Sequence, residues 1–385
     1  MVKTGLDVLM EQDFAPLKGL KVGVLTNPSA VDWCYKHIIS VLLEGDVNVS
    51  TLFGPEHGLY STAQDMVAVN GEKYAIKIVS LYGDDFDSLR PKAEDMAGLD
   101  VLLFDVQDVG CRTYTYVWTL ALAMETARKT NTPVMVLDRP NPITGTIVEG
   151  GGMEAGLKSF VGYYDVPNRH GMTAGEVAIL VAGHLEFDGL TVVKMEGWER
   201  NMWLDETGAP WVSPSPNMPT IETALVFPGG CLLEGTNMSE GRGTTRPFEI
   251  IGAPYIDGER LAAALAEDDL MGVCFRPLRF EPTFQKWAGV VCGGLQLHVV
   301  DRESFHSVGT GLAILRHVKH LWPDDFEWRT DRYEFRDDVP AVDLLTGQTR
   351  VREMIDDGAP TGEILEFLES TGESARRMRA EVLMY

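Results

Sequence analysis

Titratable and polar side chains follow directly after three short apolar segments of this 385-residue sequence. Two carboxyl groups held close together can transfer protons, stabilise a developing positive charge or attack a carbon atom, and this is the chemistry that cleaves glycosidic bonds. The three groups therefore predict a hydrolytic site. They are Glu56 and His57 within 54–58, Asp105, Asp108 and Arg112 within 105–112, and Asp138, Arg139 and Asn141 within 138–142.

Glu56 is the first candidate for a proton donor. It lies between Pro55 and His57 on a glycine-flanked turn, where the backbone can hold a carboxyl group that is partly removed from water. A surface glutamate that caps a helix fits the local sequence equally well. His57 could orient Glu56 or contact a substrate, and a structural histidine is the alternative.

Asp105 and Asp108 are candidates for a second carboxylate or for binding sugar hydroxyls, and turn geometry or helix capping also explains aspartates at such positions. Arg112 and Arg139 have planar guanidinium groups that suit a substrate carboxylate, and a structural ion pair would use them equally well. Tyr114 could stack on a sugar ring or pack in the core. These alternatives stay open at the level of sequence.

Two later polar stretches extend the candidate site. Residues 168–173 open a predicted helix, so Arg169 and His170 could face the same ligand edge. Residues 233–249 are rich in Gly, Thr, Ser, Glu and Arg, which is typical of a loop that contacts substrate and also of a solvated linker. Their candidate binding side chains are Glu234, Asn237, Glu240 and Arg242.

Apolar runs alternate with amphipathic stretches from residue 21 onwards, which is the pattern of β-α units in a mostly parallel sheet. We predict an α/β fold with a Rossmann-like open sheet, whose ligands bind outside the carboxyl ends of the strands. The predicted strands are Lys21–Thr26, Asn48–Phe53, Ile76–Leu81, Val101–Val106, Pro133–Leu137 and Leu190–Met195, and the predicted helices are Asp32–Leu43, Tyr116–Lys129 and Thr173–Leu185.

The length of the chain exceeds what one hydrophobic core usually organises, so we expect two units. Residues 1–250 are predicted to form the Rossmann-like catalytic domain, and residues 251–385 a smaller α+β domain that closes the cleft. Trp203–Pro219 is predicted to be a loop because prolines exclude regular helix there. The second unit contains a predicted helix, Gly258–Ala266, and predicted strands, Val273–Phe280 and Gly294–Val300.

Composition argues against several classes of partner. A formal net charge of −24 repels polyphosphates, so we expect no nucleic acid and no anionic membrane surface. Five cysteines without a C-x-x-C pair argue against a disulfide framework and a zinc knuckle. The first residues do not follow the pattern of a secretory signal, and no segment approaches about 20 apolar residues, so a cytoplasmic location is expected. A periplasmic or secreted location is the alternative if a leader was removed.

Motifs for cofactors do not occur in the sequence. It contains no G-x-x-x-x-G-K-[ST] and no H-E-x-x-H, and Gly150-Gly151-Gly152 does not complete a G-x-G-x-x-G fingerprint. A metal site built from Glu56, His57, Asp105 and Asp138 has no helical ligand spacing to support it. We therefore expect no cofactor and no metal ion.

Motifs along nearly the whole chain resemble the NamZ-type exo-β-N-acetylmuramidases, a bacterial family formerly classed as a domain of unknown function. Motifs of this length do not arise by chance. They are F-G-P-E-H-G (53–58), D-V-Q-D-V-G-C-R-T-Y-T-Y (105–116), L-D-R-P-N-P (137–142), R-H-G-M-T (169–173), P-S-P-N-M-P (214–219), E-G-T-N-M-S-E-G-R-G-T-T (234–245) and P-T-F-Q-K (282–286).

The resemblance implies a Rossmann-like domain, a smaller C-terminal domain, and a cleft that releases N-acetylmuramic acid from the non-reducing end of peptidoglycan fragments such as disaccharides and muropeptides. It implies that Glu56 is the leading catalytic residue, and it adds Asn217 to the binding candidates. The lactyl carboxylate of the substrate then has four candidate partners, Arg112, Arg139, Arg169 and Arg242.

Two other classes of function compete with this interpretation. A non-catalytic carbohydrate-binding protein would keep the cleft without needing a titratable carboxyl, whereas an amide or ester hydrolase would need an activated nucleophile. No Ser or Cys lies on a G-x-S-x-G elbow. Retention, inversion and a substrate-assisted route through the 2-acetamido group all stay open, because they depend on the separation of the carboxyl groups. The sequence does not indicate an oligomeric state.

Overall fold

The computed structural model describes residues 1–58 and 76–385. Six strands in this part of the chain form one open parallel sheet, and they are β1 (Lys21–Thr26), β2 (Asn48–Gly54), β3 (Lys77–Ser80), β4 (Val101–Asp105), β5 (Val134–Leu137) and β6 (Leu190–Val193). Their order is β3-β2-β1-β4-β5-β6, and every neighbouring pair is parallel. The α/β prediction and all six predicted strands are confirmed, with small shifts at their ends.

Helices cover both faces of this sheet, and this explains why β1, β4 and β5 are short apolar runs. The helices α1 and α2 pack on one face, and α4 and α5 pack on the other. The bounds are α1 (Gly5–Glu11), α2 (Ile38–Glu44), α3 (Ala93–Met96), α4 (Tyr116–Thr130), α5 (Ala174–Leu185) and α6 (Leu204–Thr207).

The predicted starts of two helices have different outcomes. Thr173 caps α5, and its hydroxyl accepts from the backbone N–H of Glu176 while the Glu176 carboxylate accepts from Thr173, so the predicted capping box is confirmed. The prediction of a helix from Asp32 is wrong for its first six residues. The Asp32 carboxylate accepts from the N–H groups of Cys34 and Lys36, and this turn delays α2 until Ile38.

The C-terminal unit combines a small antiparallel sheet, in the order β7-β9-β8, with a set of helices. The predicted strand Val273–Phe280 and the predicted helix from Gly258 are confirmed, whereas β7 and the later helices were not predicted. The elements are α7 (Ile221–Gly230), β7 (Ile250–Ala253), α8 (Gly258–Leu265), β8 (Val273–Phe280), β9 (Cys292–Val299), α9 (Ser307–Leu321), α10 (Ala341–Thr346), α11 (Thr349–Asp356), α12 (Thr361–Thr371) and α13 (Glu373–Glu381).

The segment that follows α7 contributes to the cores of both units. Phe248 packs with the core beneath α4 and α5, whereas Leu232, Leu233 and Met238 pack with the core of the C-terminal unit. The predicted boundary at residue 250 stays a prediction. Residues 231–248 therefore connect the two units through packing as well as through the chain.

Within the C-terminal unit, α7 and α9 pack against each other at short range. A Cβ atom added to Gly229 would lie 1.9 Å from the carbonyl oxygen of Ser307, and one added to Gly311 would lie 2.3 Å from the carbonyl oxygen of Gly229. The Ser307 hydroxyl accepts from the Gly229 N–H at 3.0 Å. Only glycines allow the two backbones to approach so closely.

Substitution of alanine at two helical glycines tests this packing. Gly229→Ala should lower the free energy of unfolding by about 1–3 kcal/mol, because the backbones must separate. Gly183→Ala is the matched control on α5, where nothing lies within 4 Å of an added Cβ, and it should raise stability by up to about 1 kcal/mol. Urea unfolding measures both, and equal stability of the two variants would contradict the close contact.

Candidate functional site

A cavity of about 630 Å³ opens at the carboxyl edge of the parallel sheet. Parallel strands present their C-terminal loops and the N-termini of the following helices to one edge, so polar groups from distant parts of the chain meet there. The walls come from both units. The lining segments are 56–57 after β2, 113–116 at the start of α4, 215–218, 227–248 around the end of α7, 333–334 and Leu345.

Glu56 is held in this cavity by the start of α4. Its Oε2 atom accepts a hydrogen bond from the Thr115 hydroxyl at 2.7 Å, and its side chain is 18% exposed. Thr115 is the N-cap residue of α4, yet it makes no capping bond to its own helix. The hydroxyl instead donates its hydrogen bond to Glu56, and the positive end of the helix dipole favours a carboxylate at this position.

His57 and Tyr82 lie beside Glu56. His57 has a left-handed backbone with φ +66°, and its Nε2 atom lies 3.9 Å from Glu56 Oε1. Burial lowers the pKa of His57, and Arg242 lowers it further although the Glu56 carboxyl acts in the opposite direction. Burial, followed by the carboxyl groups of Glu56 and Glu334, raises the pKa of Tyr82 to about 12, so its hydroxyl stays a proton-bearing donor.

A second group of charges forms the opposite wall. Arg242 pairs with Glu234 and, through Nε at 3.0 Å, with Glu240, while Lys286 lies 3.1 Å from Glu240. The Tyr333 hydroxyl donates to Glu234 at 2.8 Å. Burial alone would raise the pKa of Glu234, but Arg242 and Lys286 outweigh it and the pKa is lowered. Glu234 is therefore an ionised carboxylate whose partners are already in place.

Two lining residues were missed by the sequence reasoning. Tyr333 and Glu334 belong to a tight turn in a charged segment, Asp331 to Asp338, that has no helical or strand periodicity. Burial, together with the neighbouring carboxyls of Glu56 and Glu234, raises the pKa of Glu334 to about 8. The triplet Tyr333-Glu334-Phe335, a glutamate between two aromatic residues in a polar loop, is only a weak sequence signal for a functional site.

Tyr114 belongs to the cavity lining. Its ring packs edge to face against Tyr116 at 5.1 Å and Phe227 at 5.6 Å. Within the described residues the buried Tyr114 hydroxyl has no hydrogen-bond partner, whereas the Tyr116 hydroxyl donates to the carbonyl of Pro214 at 2.6 Å. Asn217 lies in the same wall, half-buried on the loop that precedes α7.

Comparison with known proteins identifies the family of this arrangement. Residues 22–222 match the family described as exo-beta-N-acetylmuramidase NamZ, N-terminal, and residues 225–385 match its C-terminal counterpart. The chain belongs to the NamZ family. A relative from Bacillus subtilis (strain 168), named peptidoglycan beta-N-acetylmuramidase NamZ, is 42% identical and aligns over 100% of this chain and 91% of its own length.

Two crystal structures of DUF1343 family proteins from Bacteroides fragilis share the fold of this NamZ family member. One superposes with a TM-score of 0.89 at 34% identity, and the other with a TM-score of 0.79 at 27% identity. Each alignment covers 100% of this chain and 99% of the other. The likeness therefore includes both units.

In this NamZ family member, two predicted site residues, Arg139 and Asp105, form a buried ion pair outside the described cavity lining. Arg139 donates to Asp105 through Nε at 2.5 Å and Nη2 at 2.9 Å, and also to the carbonyl of Val31 at 3.0 Å. Both side chains are almost completely buried. Neither residue belongs to the described lining, and each charge neutralises the other; the catalytic role of Asp105 and the substrate-binding role of Arg139 stay predictions.

Asp108 and His170 form a second buried contact behind the cavity wall. Asp108 Oδ2 accepts from the Gly110 N–H at 2.7 Å and lies 3.6 Å from His170 Nε2. His170 Nδ1 accepts from the Met172 N–H, so the ring proton is on Nε2 and faces Asp108. Neither side chain belongs to the described cavity lining, and the catalytic role of Asp108 and the binding role of His170 stay predictions.

Asp138 and Asn141 hold the start of α5 rather than a ligand. Asp138 accepts from the hydroxyl of Thr173 at 2.7 Å and the N–H of Gly175 at 2.8 Å. Asn141 donates to the carbonyl of Met172 at 2.9 Å. Their described contacts are with the backbone and the helix terminus, and their contacts with substrate stay predictions.

Arg112 and Arg169 are fully buried and already engaged. Arg112 donates to the carbonyls of Val166 at 3.1 Å and Leu345 at 3.0 Å, and Arg169 pairs with Glu149 at 2.6 Å. Arg112 thereby links the two units of the chain. The described contacts hold both guanidinium groups inside the protein, and their roles as ligands of a substrate carboxylate stay predictions.

Asn237 and Glu240 also lie outside the cavity lining. Asn237 accepts from the Tyr255 hydroxyl at 2.8 Å and faces a separate surface groove. Glu240 is buried between Arg242 and Lys286 and supports them. Of the predicted site residues, the structure brings together Glu56, His57, Tyr114, Asn217, Glu234 and Arg242. Across residues 1–58 and 76–385, no group of three or more His, Cys, Asp or Glu side chains could hold a metal ion.

The stability of the protein should depend on pH through Asp108. Burial raises the pKa of Asp108 to about 7, well above its value in an unfolded chain, so the folded state holds a proton that the unfolded state releases. The protonated Asp108 carboxyl makes its full contribution to the free energy of unfolding below about pH 4, and this contribution is lost as the pH rises through about 7.

Between pH 5 and pH 7, Asp108→Asn should reduce the pH-dependent decrease in the free energy of unfolding by on the order of 2 kcal/mol. Urea unfolding at a series of pH values measures this decrease. Asp269→Asn, which removes an exposed carboxylate, is the control and should leave the slope as in the wild type. An unchanged slope in Asp108→Asn would show that this carboxyl is ionised throughout the range.

Proposed function

We propose that the cavity hydrolyses the β-glycosidic bond that joins N-acetylmuramic acid to the next sugar, at the non-reducing end of peptidoglycan fragments. Membership of the NamZ family and the position of Glu56 support this function. The observation that carries it is the Glu56 carboxyl, which the Thr115 hydroxyl holds at the carboxyl edge of the sheet inside the cavity. Glu56 then serves as the general acid/base.

Muropeptides and disaccharides are the substrates that we propose for this cavity. Of the four arginines that could meet a lactyl carboxylate, Arg242 alone belongs to the described lining. Its Nε and Nη2 atoms are engaged with Glu240 and Glu234, whereas its Nη1 atom makes no hydrogen bond within the described residues. We assign this remaining donor to the substrate carboxylate.

Glu56→Gln tests the reaction and its acid–base group together. The variant should lose turnover of a chromogenic β-N-acetylmuramide by about 100-fold to 10,000-fold, because the amide cannot exchange a proton at the reacting oxygen. Glu281→Gln, which alters an exposed carboxyl outside the described cavity lining, should keep wild-type activity.

Comparison with the matching β-N-acetylglucosaminide measures selectivity, and calorimetry with N-acetylmuramic acid measures binding. Selective turnover that disappears in Glu56→Gln while the sugar still binds supports the proposal. A wild-type protein that binds the sugar but cleaves neither glycoside would instead support the non-catalytic carbohydrate-binding alternative.

Two tyrosine variants distinguish a substrate contact from a structural one. Tyr114→Phe should lower kcat/KM by about 10-fold, the equivalent of one hydrogen bond, because its hydroxyl has no protein partner in the described structure. Tyr116→Phe should instead lower the free energy of unfolding by about 1 kcal/mol, because the carbonyl of Pro214 loses its donor. Steady-state kinetics and urea unfolding of both variants distinguish the two roles. A Tyr114→Phe variant with a lower free energy of unfolding and an unchanged kcat/KM would refute the substrate contact.

A further inference from the structure

Three of the described residues that line the cavity carry a carboxyl group, namely Glu56, Glu234 and Glu334. Cleavage of a glycosidic bond ordinarily uses two such groups, one to protonate the leaving oxygen and one to act on the other side of the reaction. This inference rests on the proposed function. The question is which carboxyl works with Glu56.

Glu234 is already committed to protein contacts. It pairs with Arg242, it accepts from the Tyr333 hydroxyl at 2.8 Å, and Lys286 donates to its backbone carbonyl at 3.3 Å. A carboxylate with a bound guanidinium group and a bound phenol has little capacity to take up or release a proton near neutral pH. Its role is to hold Arg242 and Tyr333 in place.

Glu334 lies at the tip of a two-residue turn with an unusual backbone. Tyr333 and Arg336 pair through two backbone hydrogen bonds of 2.8 and 2.9 Å, and the residues between them have φ values of +46° for Glu334 and +68° for Phe335. A turn with two left-handed residues favours Asn-Gly, because a side chain with a Cβ atom is strained in that conformation.

The turn keeps this strained conformation because its flanks are anchored. Tyr333 is buried, and the Phe335 ring packs edge to face at 6.2 Å from Phe86. Arg336 donates to the carbonyl of Lys158 at 2.7 Å. Strain of this kind concentrates at functional sites, where the surrounding structure maintains it. The packing explains Phe335, whereas it gives no reason for a glutamate beside it.

The carboxyl of Glu334 has no hydrogen-bond or ion-pair partner among residues 1–58 and 76–385, although the side chain is largely removed from solvent. Glu56 from the N-terminal unit and Glu234 beside α7 face it and disfavour its charge, while Arg242 and Arg329 act in the opposite direction. Burial is the largest effect, and the pKa rises to about 8. Glu334 therefore holds its proton at neutral pH.

We propose that Glu334 is the second catalytic carboxyl and donates a proton to the glycosidic oxygen. As the bond between the anomeric carbon and that oxygen breaks, the electron pair stays on the oxygen, which takes the proton from Glu334. A water molecule then adds to the anomeric carbon and transfers a proton to Glu56. Glu56 therefore acts as the base in this step. Proton exchange with solvent then removes the proton from Glu56 and restores the proton of Glu334.

Leaving groups of different acidity test the assignment. Glu334→Gln should lower kcat/KM by about 100-fold or more for a β-N-acetylmuramide with an alkyl or sugar leaving group, which needs a proton. The loss should be less than about 10-fold for a nitrophenolate, which leaves without one. Asp337→Asn removes an exposed carboxylate from the same loop and is the matched control with wild-type rates.

The pH profile gives a second reading. For the poor leaving group, wild-type kcat/KM should fall above about pH 8, because the donor must be protonated, and this alkaline limb should be absent in Glu334→Gln. Equal losses with both leaving groups, or full activity of Glu334→Gln on the sugar substrate, would overturn the assignment. If the wild type cleaves no muramide at all, the proposed function fails instead.

Glu334→Gly separates catalysis from folding. Glycine relieves the left-handed strain at this position, so the melting temperature should be unchanged or higher than that of the wild type. Turnover of the substrate with the poor leaving group should nevertheless fall as it does in Glu334→Gln. A stable Glu334→Gly variant with full activity would overturn the proposal.

Discussion

The buried ion pair of Arg139 and Asp105 holds the carboxyl edge of the parallel sheet together. Asp105 ends β4, Arg139 follows β5, and the guanidinium group also reaches the carbonyl of Val31 beyond β1. A buried charge is costly unless it is paired and its hydrogen bonds are satisfied, so this pair defines one arrangement of three strand ends. The lining segments 56–57 and 113–116 follow β2 and β4 at this edge.

The same principle assigns most of the other polar residues at this edge to structure. Asp138 caps the start of α5, Asp108 holds the loop after β4, and Arg112 carries a contact from that loop to Leu345 in the C-terminal unit. None of these three residues belongs to the described lining of the cavity. Among the described lining residues with a carboxyl, Glu56 is the one that follows a strand of the parallel sheet.

The C-terminal unit supplies the charge balance of the cavity. Glu234 and Glu240 form ion pairs with Arg242 and Lys286, so the charges of this wall largely neutralise one another. The turn at Glu334 adds a carboxyl without a partner in the described chain and holds it in a left-handed backbone. One site thus contains carboxyls in three different environments, and the environment of each sets whether it supports the wall or exchanges protons.

The sequence by itself determined the α/β fold, the six parallel strands, the capping box at Thr173 and the position of Glu56 at a strand end, because periodicity and local motifs act over a few residues. It also carried the family resemblance. Only the tertiary structure decided which polar residues are buried as partners of one another and which reach the cavity. It also brought Tyr333 and Glu334 to Glu56. Pairing and burial depend on contacts between residues far apart in the chain, and no local pattern records them.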